Sequence, residues 1–409
     1  MARSVFFGWW VVAASFTIVL LGFGVAYSFA SFFDALEGEF QASRADISLI
    51  FSIAGFLYFS LGAVSGPISD RFGSRRTVAF GILLIAAGLF AASLAGDIWQ
   101  VYLSYGIAVG VGIGFIYVPS IGVVQRWFVR QRGLASGLAS AGIGVGTLLA
   151  PPFCKFLVDM VGWRGAFQIL AGSILLLGWL AAWTLHTSPA ARSLHPDGDA
   201  APAGAETAVG GHNLRFVLRT RLFWLLFTAS TLLSFGLFVP FVHLAKYTVD
   251  HGHPETFAIL MVSLIGLGSM SGRFLLGGLA DRFGRHRSMI AMYAGVALSH
   301  VWWLMSDDLW ALALYAVAFG LFYGGYVALA PALSADFFGG RYVSSIIGVL
   351  YSGTALGNLI GPVAAGMAYD LTQGYSLPIA AAAALTFLAL GVMSLTPTPE
   401  KWRERQWRT

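Results

Sequence analysis

The chain has 409 residues, of which 57% are hydrophobic and 11% charged, and its mean hydropathy is +0.76. Soluble domains carry about 25% charged residues, so a water-soluble core is excluded and lipid is the solvent for much of this surface. The formal net charge of +5 then reads as the basic loops that orient a membrane protein, not as a nucleic-acid surface.

The first apolar run, at about 8–33, follows Arg3 and is too long for a cleaved leader, so it reads as span 1. Further apolar runs fall at 46–69, 76–95, 98–123, 133–160, 164–187, 220–246, 255–279, 288–306, 309–334, 342–369 and 375–395. Numbered in chain order, these predict twelve transmembrane helices in an all-α integral membrane protein. Between spans 6 and 7, the segment Ser188 to Asn213 is rich in Ala, Pro, Gly and small polar residues (HPDGDAAPAGAETAVGG). It cannot bury enough apolar surface to order itself and reads as a flexible linker. The expected organisation is an N-terminal six-helix bundle at 1–187, a linker at 188–219, a C-terminal bundle at 220–396 and a tail at 397–409.

Basic residues set the orientation. With both termini in the cytoplasm, 19 of the 24 Lys and Arg fall on the inner side. Arg44, Lys155, Arg164 and Lys246 fall outside, and Arg273 lies within a span. This bias predicts cytoplasmic termini in a plasma membrane, such as a bacterial inner membrane. The single cysteine, Cys154, excludes an intrachain disulfide and reads as a small apolar residue.

The sequence repeats itself. GPISDRFGSRR (Gly66–Arg76) matches GGLADRFGRHR (Gly277–Arg287), with Asp70 and Asp281 separated by 211 residues. Pro119 and Pro331 are 212 apart, and Pro151 and Pro362 are 211 apart. A duplicated six-span unit in parallel topology predicts a carrier with its site between two halves. The repeat also isolates Arg273: eight residues before Asp281, it corresponds to Gly62, eight before Asp70. The fold therefore accepts glycine there, and the charge belongs to function more than to scaffold. A charge at the bilayer centre costs about 2.5–3.5 kcal/mol on insertion scales. A flat, permanently charged guanidinium suits a carboxylate or phosphate.

The G-x-x-x-D-R-x-G-R-x-R element resembles the loop signature of the major facilitator superfamily. It is carried by Gly66, Asp70, Arg71, Gly73, Arg75 and Arg76, and again by Gly277, Asp281, Arg282, Gly284, Arg285 and Arg287. The resemblance implies a twelve-helix facilitator fold, with these charges cross-linking helix ends and setting the inward/outward equilibrium. FGWWVVAASF (Phe7–Phe16), VPSIGVVQRWFVRQRGLASGLASAGIGVG (Val118–Gly146) and SGRFLLGGLADRFGR (Ser271–Arg285) resemble monocarboxylate carriers and their bacterial oxalate/formate-exchanging relatives. That likeness implies that Arg273 binds a substrate carboxylate, with central aromatics at Tyr27, Tyr117, Tyr323 and Tyr351. Two departures matter. Animal-type carriers have an aspartate four residues before the arginine and a lysine in span 1; here Ser269 holds the first position and span 1 has no lysine. Oxalate exchangers have a lysine in span 11, where this chain has Thr354. One buried cation favours a monoanion over a dianion.

Other polar groups are candidates by depth: Tyr326, Asn358 and His243 for substrate, with His243 also able to carry a proton. His300 has no polar companion in its span. Span 5 carries Gly133, Gly137, Gly142 and Gly146, and sliding of this helix against the other half is expected to be sensitive at Gly142. No lysine follows a glycine, so a phosphate loop is absent, and no H-E-x-x-H metal motif occurs. The reading is a monomeric secondary carrier, without cofactor or metal, that moves a small monocarboxylate with a proton across the bilayer. Carboxylate exchange is the alternative; a non-transporting sensor or an intramembrane enzyme is the reading from another class.

Overall fold

The computed structural model describes residues 6–42, 44–198 and 210–406. Helices cover all twelve apolar stretches. By length and hydropathy alone, nine of the described helices can cross a membrane, and a bent pair makes ten. Span 9 falls short of that test because Ser, His and Arg dilute its apolar residues.

Several spans are broken where the sequence removes a hydrogen bond or a side chain. Span 1, Gly8–Tyr27, ends earlier than expected and passes into a short turn and the helix Phe33–Phe40. Span 2 is Arg44–Ser60 and Gly62–Phe72, bent by 45° just before Gly62. Span 4 has a π-helical section, Tyr102–Val109, before Gly110–Trp127. Spans 5 and 6 run within Arg132–Thr184 and part at Gly162, whose φ of +72° favours glycine. Span 7 breaks between Arg221–Leu237 and Val239–Asp250. Pro240 has no N–H to give the carbonyl of Gly236. His300 of span 9 takes that carbonyl instead, at 3.2 Å through Nε2, while its Nδ1 faces the Val296 carbonyl at 2.9 Å. The histidine without a polar companion in its own span is therefore a brace for the break in span 7.

The remaining spans are Glu255–Phe283 (8), Arg285–Leu304 (9), Leu309–Phe338 (10), Val343–Thr372 (11) and Ser376–Ser394 (12). Two crossings join the halves: span 2 with span 11, and span 8 with span 5. Glycines make both possible, because backbones touch. A Cβ on Gly348 would sit 1.8 Å from the Gly62 carbonyl oxygen, and one on Gly66 2.3 Å from that of Ser344. In the other crossing, a Cβ on Gly137 would sit 2.1 Å from the Arg273 carbonyl oxygen, and one on Gly133 2.3 Å from that of Gly277. Each residue of one crossing lies 211 positions from its counterpart in the other. The two crossings are one construction used twice, and Arg273 and Gly62 occupy equivalent places in it.

Gly142 departs from expectation. Its added Cβ would meet the carbonyl oxygen of Phe16 at 2.2 Å, and that of Gly146 would meet the Leu20 oxygen at 2.6 Å. Both face span 1 of their own half. The side of span 5 that meets the other half is at Gly133 and Gly137, one helical face away.

The linker is also more ordered than its composition suggests. Residues 188–198 pack on the N-terminal half, where Arg192 stacks over the Phe7 ring at 3.8 Å; just before them, His186 meets the same ring edge-on at 5.3 Å. Gly210 to His212 pair with the loop between spans 10 and 11. Residues 199–209 lie outside the described residues.

Candidate functional site

A small cavity lies where the two halves meet. Tyr27 and Tyr117 line it from one half, Tyr323, Tyr326, Tyr351 and Thr354 from the other, with Phe23, Phe59 and Phe238 around them. Its volume is about 30 Å³ as open to water centres, space for about two water molecules. Tyr117 and Tyr351 stack across the halves at 5.3 Å, their planes only 5° apart and their hydroxyls 3.4 Å from each other. Phe59 of span 2 meets Phe238, at the break of span 7, at 6.0 Å. The Thr354 hydroxyl is buried and without a hydrogen-bond partner.

Arg273 is not itself in the lining of this cavity but packs against one of its walls, Tyr323. It is 1% exposed, and its guanidinium lies over the Tyr323 ring at 5.5 Å. One Nη donates to Ser269 Oγ at 2.6 Å, one turn earlier on the same helix. Its Nε has no partner. Among the described residues, the ion pairs all lie elsewhere. Nor does any apolar core of a span contain Asp or Glu. A buried guanidinium with an orphaned N–H and no paired carboxylate among the described residues has donors free to take an anion.

Toward the face that carries both D-R-x-G loops, here the basic face, the halves are sealed. Asp281 of span 8 accepts from the backbone N–H groups of Gly133 and Leu134, each at 2.9 Å. Those are the first unpaired donors of span 5, so the carboxylate caps a helix of the opposite half. Asp70 of span 2 does the same to span 11, accepting from Ser345 N at 2.7 Å and Ser345 Oγ at 2.5 Å. Asp70 also pairs with Arg126, both 3% exposed, and Arg126 Nε donates to the Gly340 carbonyl at 3.0 Å. Around Asp281, Arg285 binds Asp281 at 2.7 Å and Asp336 at 2.8 Å, and Arg132 reaches Asp336 at 2.8 Å from the other half. Arg285 also donates to the carbonyls of Val129 and Arg130, each at 2.8 Å.

The family model for the Major Facilitator Superfamily matches residues 14–298 and 237–409. The chain belongs to the major facilitator superfamily. Within it, the chain is 30% identical to human monocarboxylate transporter 11, over 96% of this chain and 84% of that protein. It is also 30% identical to human monocarboxylate transporter 2, over 90% and 81%. The proton:xylose symporter XylE superposes with a TM-score of 0.73 at 15% identity, covering 96% of both chains, which is a likeness of fold.

In this facilitator, the four tyrosines expected beside Arg273 (Tyr27, Tyr117, Tyr323 and Tyr351) do line one cavity, with Tyr326. His243 and Asn358 do not line it. His243 bonds through Nε2 to the Pro362 carbonyl at 2.9 Å and lies edge-on to Tyr375. Of the loop-motif residues, Asp70, Asp281 and Arg285 form the seal. Arg75 instead stacks on Trp183 at 4.2 Å, Arg71 lies over Phe72 at 5.3 Å, and Arg76 and Arg282 are exposed. Sequence reading passed over Arg126, Arg132 and Asp336, counting the arginines only as basic loop charge. One signal was present: Arg126-Trp-Phe and Asp336-Phe-Phe lie 210 residues apart, one short of the repeat spacing, before spans 5 and 11 and with opposite charge. Phe59 and Phe238 carry no polar atom, so depth alone could not single them out.

Proposed function

We propose that this facilitator is a secondary active transporter of small monocarboxylates, working by alternating access, with Arg273 binding the carboxylate. The observation that carries the reading is the buried Arg273 guanidinium, with an unpartnered Nε beside a tyrosine-lined cavity between the halves. One cation matches one carboxylate, whereas a dianion would stay half-compensated in a low-dielectric site. The phenol rings suit a short hydrocarbon tail while their hydroxyls reach polar substituents. The names of the curated relatives support the same substrate class.

The basic face is cytoplasmic in this reading, both termini included, and the carrier sits as a monomer in a plasma membrane such as a bacterial inner membrane. A proton accompanies the anion, making transport electroneutral. With no carboxylate beside Arg273, the proton rides on His243 or enters with the acid. The same lack of a carboxylate favours a second reading, carboxylate exchange, because an empty carrier cannot neutralise its own arginine.

Uptake of labelled lactate, pyruvate, glycolate, formate and oxalate into proteoliposomes tests the proposal. Uptake of monoacids into empty vesicles, driven by an inward proton gradient and lost in Arg273→Ala, is the expected result. Uptake that needs a preloaded carboxylate identifies exchange. Normal uptake by Arg273→Ala removes the arginine from the site.

A further inference from the structure

The segment joining the halves holds two loops at equivalent places. Near its start, Asp197 Oδ2 accepts from the backbone N–H groups of Val129 and Arg130, each at 2.9 Å, and Oδ1 accepts from Gln131 at 3.4 Å. Near its end, the Gly210 carbonyl accepts from Gly340 N at 3.1 Å and Arg341 N at 3.4 Å, while His212 N donates to the Phe338 carbonyl at 2.8 Å. Val129 and Gly340 are 211 residues apart, as are Arg130 and Arg341. The two ends of one connector therefore grip the same position of the repeated unit, once in each half.

The other side of these peptides belongs to the seal. The carbonyls of Val129 and Arg130 accept from Arg285 of the C-terminal half. The carbonyl of Gly340 accepts from Arg126 of the N-terminal half. Each loop thus gives its N–H groups to the connector and its carbonyls to the opposing arginine. A peptide whose N–H is bound by an anion or carbonyl is polarised and presents a better acceptor. It is also fixed in direction, so the arginine meets an acceptor already in place.

Local backbone supports a built contact. Asp197 adopts φ +58° and Gly198 φ +73°, which turns the carboxylate back onto the loop. A non-glycine residue in the left-handed region is uncommon, though Asp tolerates it. Gly339 has φ +84°, and a Cβ there would sit 2.5 Å from the Gly210 carbonyl oxygen.

We propose that the two described ends of the connector, at Asp197 and at Gly210 to His212, act as a strap that holds the basic face closed, with Asp197 as a positioning residue acting through Val129 and Arg130 on Arg285. It rests on the alternating-access reading but not on the identity of the substrate. When the halves part at the basic face, Arg285 leaves the 129–130 carbonyls and Arg126 leaves that of Gly340. The strap raises the cost of both departures.

The test uses the full chain with distance labels at the exposed Arg71 and Arg341, in detergent and without substrate. Asp197→Gly removes the carboxylate and keeps the left-handed backbone; Asp197→Asn keeps one acceptor oxygen. The expected result is about a tenfold larger open-basic-face population for Asp197→Gly, from the loss of hydrogen bonds to a charged group, and a smaller rise for Asp197→Asn. Substrate KM should change in opposite directions on the two faces, with kcat altered less. A label distribution unchanged in both variants, or a lowered melting temperature with no shift in distances, overturns the strap. If the distances shift while no carboxylate is carried, the strap stands and the substrate assignment fails.

Discussion

The Arg273 guanidinium is buried against the Tyr323 ring and the Ser269 hydroxyl, with no carboxylate paired to it among the described residues. A buried guanidinium without a counter-charge costs stability, and under the proposed function that cost is offset by the bound carboxylate. Arg273→Ala should therefore melt no lower than the parent while losing carboxylate uptake; Arg273→Lys should restore little, because an ammonium cannot present the flat fork. Thermal unfolding and proteoliposome uptake on the same preparation check both halves of that statement. Arg126 is the opposite case. It is paired, so Arg126→Ala leaves the Asp70 carboxylate buried without a counter-charge, held only by Ser345 among the described residues, at about 3–5 kcal/mol. Adding Asp70→Asn should recover part of the loss, and a double-mutant cycle in chemical unfolding measures the coupling.

At the scale of the element, the glycines of span 5 divide by face. Gly137 abuts the Arg273 carbonyl in the other half, and Gly142 abuts the Phe16 carbonyl in its own. Gly137→Val should fold and insert yet fail to close the basic face, lowering turnover. Gly142→Val should prise span 5 from span 1 and lower expression itself. Comparing the yield of monodisperse protein with transport per molecule separates the two; equal loss in both variants would contradict the division. The small-residue pattern was legible in the sequence. Which glycine faces which helix was not, because a helix packed on two sides shows small residues at both contacts, and periodicity does not say which partner is there. Pro240 shows the same limit. The sequence marks a freed carbonyl, but only the fold brings His300 to it.

For the whole molecule, the two halves are joined at the basic face by crossings that repeat at 211 residues and by two carboxylates, each capping a helix of the other half. Asp70→Asn and Asp281→Asn should each favour opening there, read as longer distances between labels at Arg71 and Arg341, and the double variant more than either. The sequence by itself determined the lipid-facing composition, the twelve spans, the duplication and the place of Arg273 opposite Gly62. These follow from hydrophobic runs, repeat spacing and isolated polarity, which are local or periodic properties. Tertiary structure alone decided that Arg126, Arg132 and Asp336 join the seal, that Phe59 meets Phe238, that His243 lies off the cavity, and that the connector grips both loops. Each of those depends on pairs of groups distant in the chain, and composition carries no record of which distant groups meet.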